Sequence, residues 1–330
     1  MLHLCFCFSD ARDAGYYIHT LVALASVFAN TSSSVCAHLL VDDSVPSGQR
    51  EAFHALAERY GQQVIFYDME KIDRLACGNV PEAYGTASLY RFFIHTRIDA
   101  PKVLYIDCDI IALLDVAEIF HWDTGEALFG AVLDSGLVND KQRAAYLAQK
   151  HIVPGCYVNS GILLMQSRRI REEFPDFAET GLEMVRSQRF RYPDQDAINK
   201  IIQQRGPATL SLMPERFNYL VGHSDRSYQS HAGYMGKLLH YTRTKPWKVL
   251  TPAGLYYWKH RAQLTSIEET FSSMFTLEPH EHEYLFTYLL RTEAMRRWVN
   301  RVYDVSRQGF AEMILDRLLP ERRKRKKRGL

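Results

Sequence analysis

The sequence predicts an α/β fold, a doubly wound parallel sheet flanked by helices. Two observations carry that reading. Through the first half, short apolar β-rich runs alternate with segments of helical period, the pattern of a doubly wound sheet. One run, Val103–Ile106, leads into the carboxylates Asp107 and Asp109, and ligands of open α/β sheets gather where strands end. With 330 residues, 47% hydrophobic and 24% charged, the chain can bury a sizeable core, which excludes disorder, collagen and a disulfide-packed miniprotein.

The elements follow in order. Leu2–Phe8 is a strand in which Cys5 and Cys7 alternate and read as half-buried. A polar loop over 9–15 precedes a helix over Tyr17–Ala29. Val35–Val41 is the next strand, Pro46 starts a helix that runs to Tyr60, and Gln63–Tyr67 is a third strand. A helix near Ala87–Arg97 precedes strands at Lys102–Ile106 and Phe129–Leu133. Beyond Tyr157 the pattern is mixed: a strand at Val158–Met165, helices near 168–186 and 194–204, a strand at Thr209–Met213, then a long irregular stretch to about Leu264. So long a stretch in a compact chain points to function. The main domain is thus placed at 1–264. Leu285, Leu289, Trp298, Val302, Met313, Ile314 and Leu318 mark amphipathic helices in a C-terminal region, 265–320, followed by a basic tail at 321–330.

Charge is unevenly placed. The chain has net charge +2, yet its seven Lys and Arg residues from Arg322 to Arg328, against Glu321, give the tail +6 and leave the body at −4. Membrane-surface docking, nucleic-acid contact and a merely solvated tail compete as readings. An anionic membrane surface is favoured, because a polybasic run beside an amphipathic helix gains about 1 kcal/mol per cation there. Nucleic acid is not expected, since the acidic body offers no second basic surface and no recognition motif. Six cysteines without regular spacing suggest neither a disulfide framework nor a zinc motif, and fit a reducing compartment. The N-terminal apolar run is too short for a signal peptide or a membrane span, so a cytoplasmic location is expected.

Three segments carry chemistry. Asp107 and Asp109, two apart, face one side and repel unless a cation lies between them; a hard divalent ion, Mn or Mg, meets that need. The bland alternative is a solvated strand-to-turn junction. In His240-Tyr241-Thr242-Arg243-Thr244-Lys245-Pro246-Trp247 an imidazole can complete a metal site and a lysine can neutralise a phosphate oxygen. The third is the strand that opens Tyr157-Val158-Asn159-Ser160-Gly161, with Tyr192-Pro193-Asp194-Gln195-Asp196 at a helix start. There Asp194 reads either as a helix cap or, with Asn159 and Gln195, as a partner for sugar hydroxyls. His280 to Glu283 read better as the polar start of a helix than as metal ligands.

With these motifs in order, and with Arg216-Phe217-Asn218 between the last two, the chain resembles glycosyltransferase family 8 over Leu2 to about Leu264, especially its bacterial lipopolysaccharide and lipooligosaccharide galactosyl- and glucosyltransferases. The resemblance implies a GT-A nucleotide-diphospho-sugar transferase fold, a Rossmann-like mixed sheet flanked by helices, with a helical C-terminal appendage. It implies a retaining, Mn-dependent transfer of galactose or glucose from UDP-galactose or UDP-glucose to a saccharide or glycolipid, at the inner face of the cytoplasmic membrane. Asp107, Asp109 and His240 would bind the metal, and Lys245 a phosphate oxygen. Asp10, with Asp13 or Tyr16, would approach the nucleotide, and Arg91 the diphosphate or sugar. Asp134, Asn159, Asp194 and Gln195 would surround the hexose, with Gln195 behind the anomeric carbon. The phosphate segment departs from the family: four residues, not five, separate His240 from Lys245, and Arg243 replaces the expected glycine. An amide is a poor nucleophile, so front-face substitution is favoured over a transient glycosyl-enzyme at Asp194. A catalytically idle nucleotide- or carbohydrate-binding module on the same fold is the competing function. A dehydrogenase is disfavoured because 9–16 lacks G-x-G-x-x-G.

Overall fold

The computed structural model describes residues 1–11, 15–70, 72, 80, 85–138, 140–221, 231–242, 245–248 and 253–264. Asp13, Arg243, the 265–320 helical region with His280 to Glu283, and the 321–330 tail lie outside them. The chain divides into two compact units, Met1–His223 with Gly236–His240, and Ser224–Met235 with Tyr241–Leu330.

In the first unit the strands are β1 (Leu2–Phe8), β2 (Val35–Val41), β3 (Gln63–Asp68), β4 (Val103–Ile106), β5 (Ile110–Ala112), β6 (Phe129–Leu133), β7 (Val158–Met165), β8 (Leu210–Leu212), β9 (Tyr219–Leu220) and β10 (Leu238–His240). Seven form a mixed sheet in the order β3-β2-β1-β4-β7-β6-β8, with β7 antiparallel to both neighbours and every other pair parallel. A second sheet, β5-β10-β9, pairs β10 antiparallel to β5 and parallel to β9. The α/β expectation is met, but the sheet is not wholly parallel as the residue pattern suggests: β7 runs against both neighbours, which makes the mixed sheet that the resemblance implies.

Central strands are buried on both faces, as near-continuous apolar runs require. Cys5 and Cys7 are therefore fully buried rather than half-buried. The edge strand β3 alternates in exposure, its buried side limited to one face. The first loop is organised by Asp10, which accepts from the backbone N–H of Gly15 at 3.2 Å and of Tyr17 at 2.8 Å. Those are orphan donors of the Tyr16–Asn30 helix, and Gly15, at φ 92°, supplies the left-handed residue that the entry needs.

Four differences from the sequence reading have physical causes. The 87–97 segment is a 3-10 helix, Thr86–Phe93, followed by one α-turn, Ile94–Arg97. The 168–186 segment breaks into Ser167–Glu173 and Phe177–Ser187, because Pro175 lacks an N–H and disfavours helix before it. The stretch before Leu264 is not wholly irregular: β9, β10, a turn of helix at His231–Tyr234 and the Leu255–Leu264 helix lie in it. Strands of two or three residues are too short to show a period. Asp194 is not the helix cap either. Tyr192 caps Pro193–Arg205 without a side-chain bond, and Asp194 lies buried in the first turn.

In the second unit, Tyr241 donates to the Ala253 carbonyl at 2.7 Å and Trp258 Nε1 to that of Pro246 at 2.9 Å. Tyr256, Tyr257 and Trp258 are buried. Lys245 Nζ donates to the Tyr241 carbonyl at 2.8 Å. No helix among the described residues is long and apolar enough to cross a membrane.

Candidate active site

β4 ends at Ile106, so Asp107 and Asp109 lie in the turn joining β4 to β5 rather than within a strand. Asp107 N–H still extends the ladder, donating to the Gly161 carbonyl on β7 at 2.8 Å. Cys108 turns the other way, its Sγ 3.5 Å from the Cys7 carbonyl oxygen. The two carboxylates thus share one side, as their i, i+2 spacing predicts.

β10 brings His240 to them from 131 residues beyond Asp109. Its Nε2 lies 3.2 Å from Asp109 Oδ1 and 3.7 Å from Asp107 Oδ2. Adjacent ligands of an octahedral ion, each about 2.1 Å from it, stand about 3 Å apart, so this donor set fits a divalent cation with little adjustment. The three are one of two metal-competent groups among the described residues. β7 makes room for them at Gly161. A Cβ there would sit 2.3 Å from His240 Cε1 and 2.9 Å from Asp107 Oδ2.

Which nitrogen of His240 carries the proton follows from a backbone donor two links away. Gly161 N–H donates to Asn159 Oδ1 at 3.0 Å, which fixes that amide. Asn218 Nδ2 then donates to the same oxygen at 2.8 Å, leaving Asn218 Oδ1 to face His240 Nδ1, also at 2.8 Å. Nδ1 therefore carries a proton, which leaves Nε2, the nitrogen aimed at the carboxylates, as the one able to ligate a metal.

The same chain reaches the predicted sugar residues. Asn159 Nδ2 donates to Asp134 Oδ2 at 3.2 Å, and Gln195 Nε2 donates to that oxygen at 3.0 Å. Gln195 Oε1 accepts from the Ser160 N–H at 3.1 Å, fixing its amide as well. Asp194 Oδ2 accepts from Ser160 Oγ at 2.9 Å. Asp196, in the same turn, anchors the helix start by accepting from the Tyr157 hydroxyl at 2.5 Å, from Tyr146 and from the Tyr192 N–H at 3.0 Å. Burial pushes its carboxyl up, against the pull of those three donors.

Arg91 joins the two halves. Its guanidinium, 4% exposed, pairs through Nη2 with Asp107 Oδ1 at 3.0 Å and through Nη1 with Asp194 Oδ2 at 2.9 Å. Nη1 also donates to the Ser160 carbonyl, and Nε to that of Ser88, each at 2.8 Å. The group stacks 4.3 Å above the Tyr105 ring, whose hydroxyl donates to Asp107. Burial opposes the charge on Arg91, but Asp194, Tyr105 and Asp107 outweigh it and hold its pKa above the usual arginine value.

The structure thus gathers Arg91, Asp107, Asp109, Asp134, Asn159, Asp194, Gln195 and His240 into one connected cluster within the first unit. Asp10 and Tyr16 are set apart in role. Asp10 accepts from Gln49 Nε2 at 2.8 Å besides capping its helix, and Tyr16 packs edge-on against His19. Lys245 belongs to the second unit. Ser160, Gly161, Tyr105 and Asn218 received no role from the sequence. Tyr105 had a usable signal, two residues before Asp107 and on its side of the strand, and Asn218 stood in the Arg216-Phe217-Asn218 motif without an assignment.

Comparison with known proteins agrees with this geometry. The lipopolysaccharide 1,2-glucosyltransferase of Escherichia coli K12 is 22% identical over 257 residues, covering 74% of each chain. The lipopolysaccharide 1,3-galactosyltransferase of Salmonella typhimurium LT2 is 28% identical over 197 residues, 57% of this chain and 56% of that one. Among solved structures, the galactosyltransferase LgtC, crystallised with donor and acceptor sugar analogues, superposes with a TM-score of 0.68 at 22% identity, covering 82% of this chain and all of that one. That likeness shows the GT-A fold. The model of glycosyl transferase family 8 matches residues 7–251, and the chain belongs to that family of enzymes.

Proposed function

We propose that this glycosyltransferase moves galactose or glucose from its UDP conjugate, with retention at the anomeric carbon, to a lipopolysaccharide or another lipid-linked saccharide. The observation that carries the reading is the convergence of Asp107, Asp109 and His240 Nε2 beside the Arg91, Asp194 and Gln195 network. The names of the relatives support hexosyl transfer to lipopolysaccharide.

Breaking the bond between sugar and diphosphate leaves positive charge on the sugar and negative charge on UDP. A divalent ion, Mn or Mg, held by Asp107, Asp109 and His240 would supply Lewis-acid stabilisation of the departing diphosphate. Lys245 would add a cation to a phosphate oxygen, and Asp10 and Tyr16 would meet the nucleotide at the first loop. Asp134, which accepts two amide hydrogens, would be a partner for sugar hydroxyls. Asp194 is a weak candidate nucleophile, because Arg91 and Ser160 Oγ both hold its Oδ2. Gln195 is a poor nucleophile by chemistry. Front-face substitution, with the leaving phosphate oxygen taking the acceptor proton, fits both. The test is UDP release from a panel of UDP-sugars by chelator-treated protein. Release restored by Mn with UDP-galactose or UDP-glucose is expected; donor binding without turnover at saturating Mn points instead to the idle module.

The acidic body with its +6 tail supports a cytoplasmic enzyme docked on the anionic inner leaflet. Full-length protein is expected to sediment with anionic vesicles at low salt, and protein ending at Pro320 to remain in solution. Equal sedimentation of both removes the tail as anchor.

A further inference from the structure

At the opposite end of the sheet, β1 and β2 assemble a second group of metal-ligating side chains that transfer chemistry does not use. The parallel register places His3 beside Cys36 and Cys5 beside His38, so His3, Cys36 and His38 project from one face in the first half of the two strands. Asp107 lies beyond the carboxyl end of β4, about 13 Å along the strand direction from the level of His3 and Cys36 and about 7 Å from that of His38, at about 3.3 Å per residue. From the geometry we infer that His3, Cys36 and His38 form a binding site for a thiophilic divalent metal ion, Zn(II) by preference, distinct from the Asp107–Asp109–His240 centre.

Three observations carry this. One ligand atom from each residue lies within 4.8 Å of those of the other two. A tetrahedral Zn(II) with nitrogen at about 2.0–2.1 Å and sulfur at about 2.3 Å holds its ligand atoms about 3.3–3.6 Å apart. His3 Nδ1 and His38 Nε2 already stand 3.0 Å apart, so those two rings need open by only a few tenths of an ångström.

Next, the ring of His38 is set for ligation. Its Nδ1 lies 3.0 Å from the Tyr67 hydroxyl on β3, leaving Nε2 toward the cluster. Metal-bound histidines nearly always engage their second nitrogen in this way, and that bond fixes ring orientation. An incoming ion displaces the Cys36 thiol proton to solvent on binding.

Finally, access and selectivity are built in. Cys36 and His38 are buried, while His3 is partly exposed and gives an ion an approach from solvent. A thiolate with two imidazoles selects Zn(II), Co(II) or Cu, whereas the oxygen-rich centre suits Mn or Mg, so the two sites take different ions from one mixture. No C-x2-C spacing announces the site, because its ligands come from two strands whose register alone unites them.

The experiment is a Co(II) titration of metal-stripped full-length protein in excess Mn(II), read by thiolate-to-cobalt charge-transfer absorption. The Asp107–Asp109–His240 centre has no sulfur and cannot give that band. One equivalent of cobalt is expected to develop it and Zn(II) to displace it, with a Zn-dependent rise in melting temperature. Cys36→Ser is expected to abolish the band and the rise; His3→Gln, at a partly exposed position, is expected to weaken cobalt binding at least about tenfold. Absence of the band in the parent protein, its persistence in Cys36→Ser, or unchanged cobalt affinity in His3→Gln each overturns the assignment. This test is independent of UDP release, so its failure leaves the transferase reading standing.

Discussion

Arg91→Met is expected to lower UDP release by about three orders of magnitude and to cost about 3–5 kcal/mol of folding stability, the range for removing one partner of a buried ion pair. Arg91 neutralises Asp107 and Asp194 together, at 3.0 and 2.9 Å. Methionine fills comparable volume but leaves two carboxylates facing each other, with the Asp194 side chain only 8% exposed and Asp107 at 24%. The carbonyls of Ser88 and Ser160 lose their donors as well. Arg91→Lys is not expected to rescue, because one ammonium cannot reach two carboxylates and two carbonyls in a planar fork. Since the variant keeps all three proposed metal ligands, added Mn should not restore turnover. Urea unfolding and UDP release across a Mn series measure both effects. Activity within tenfold of the parent protein means that the paired carboxylates do not need Arg91.

The fold was legible where the physics is local. β2 begins and ends where its apolar run does, β6 and β7 lie at the bounds read from the sequence, and the Pro46 and Tyr60 boundaries follow from a proline start and a Gly61 stop. Non-local consequences were not legible. The sequence placed Arg91 on a helix without showing that tighter 3-10 winding accompanies the Arg91 Nε bond to Ser88 and an inward-facing guanidinium. Asp194 read as a cap because Asp after Pro is common at helix starts; only the packing of Pro193–Arg205 beside β7 shows its charge spent on Arg91. His240 could be joined to the aspartate pair by resemblance alone, as no periodicity spans the separation. Asn218, which sets the His240 tautomer, lies in a 3-10 turn before a two-residue strand, too short for pattern to assign. The His3–Cys36–His38 cluster was hidden for a related reason: within each strand its members look like ordinary interior residues, and only β1–β2 register brings them together.

Gly161→Ala is expected to leave the fold intact while reducing UDP release at least about a hundredfold, with a raised Mn requirement. The residue has no left-handed φ, so alanine costs nothing in backbone conformation and its whole effect is one methyl group. That methyl would stand 2.3 Å from His240 Cε1, 2.8 Å from His240 Nδ1 and 2.9 Å from Asp107 Oδ2. None of these neighbours is free to yield. His240 Nδ1 is tied to Asn218, Asp107 is held by Arg91 and Tyr105, and the Gly161 backbone is pinned at both polar atoms, by Asn159 and by the Asp107 N–H. Overpacking of this kind costs about 1–3 kcal/mol. Relief therefore comes by displacing the imidazole by about an ångström, enough to cost about a hundredfold where reacting groups must be held in register. In contrast to Arg91→Met, the charge balance is untouched, so high Mn is expected to recover part of the activity. Circular dichroism, a Mn titration of turnover and urea unfolding separate these effects. If Gly161→Ala matches the parent protein in Mn half-saturation and turnover, His240 is not seated against β7 and does not share an ion with Asp107 and Asp109.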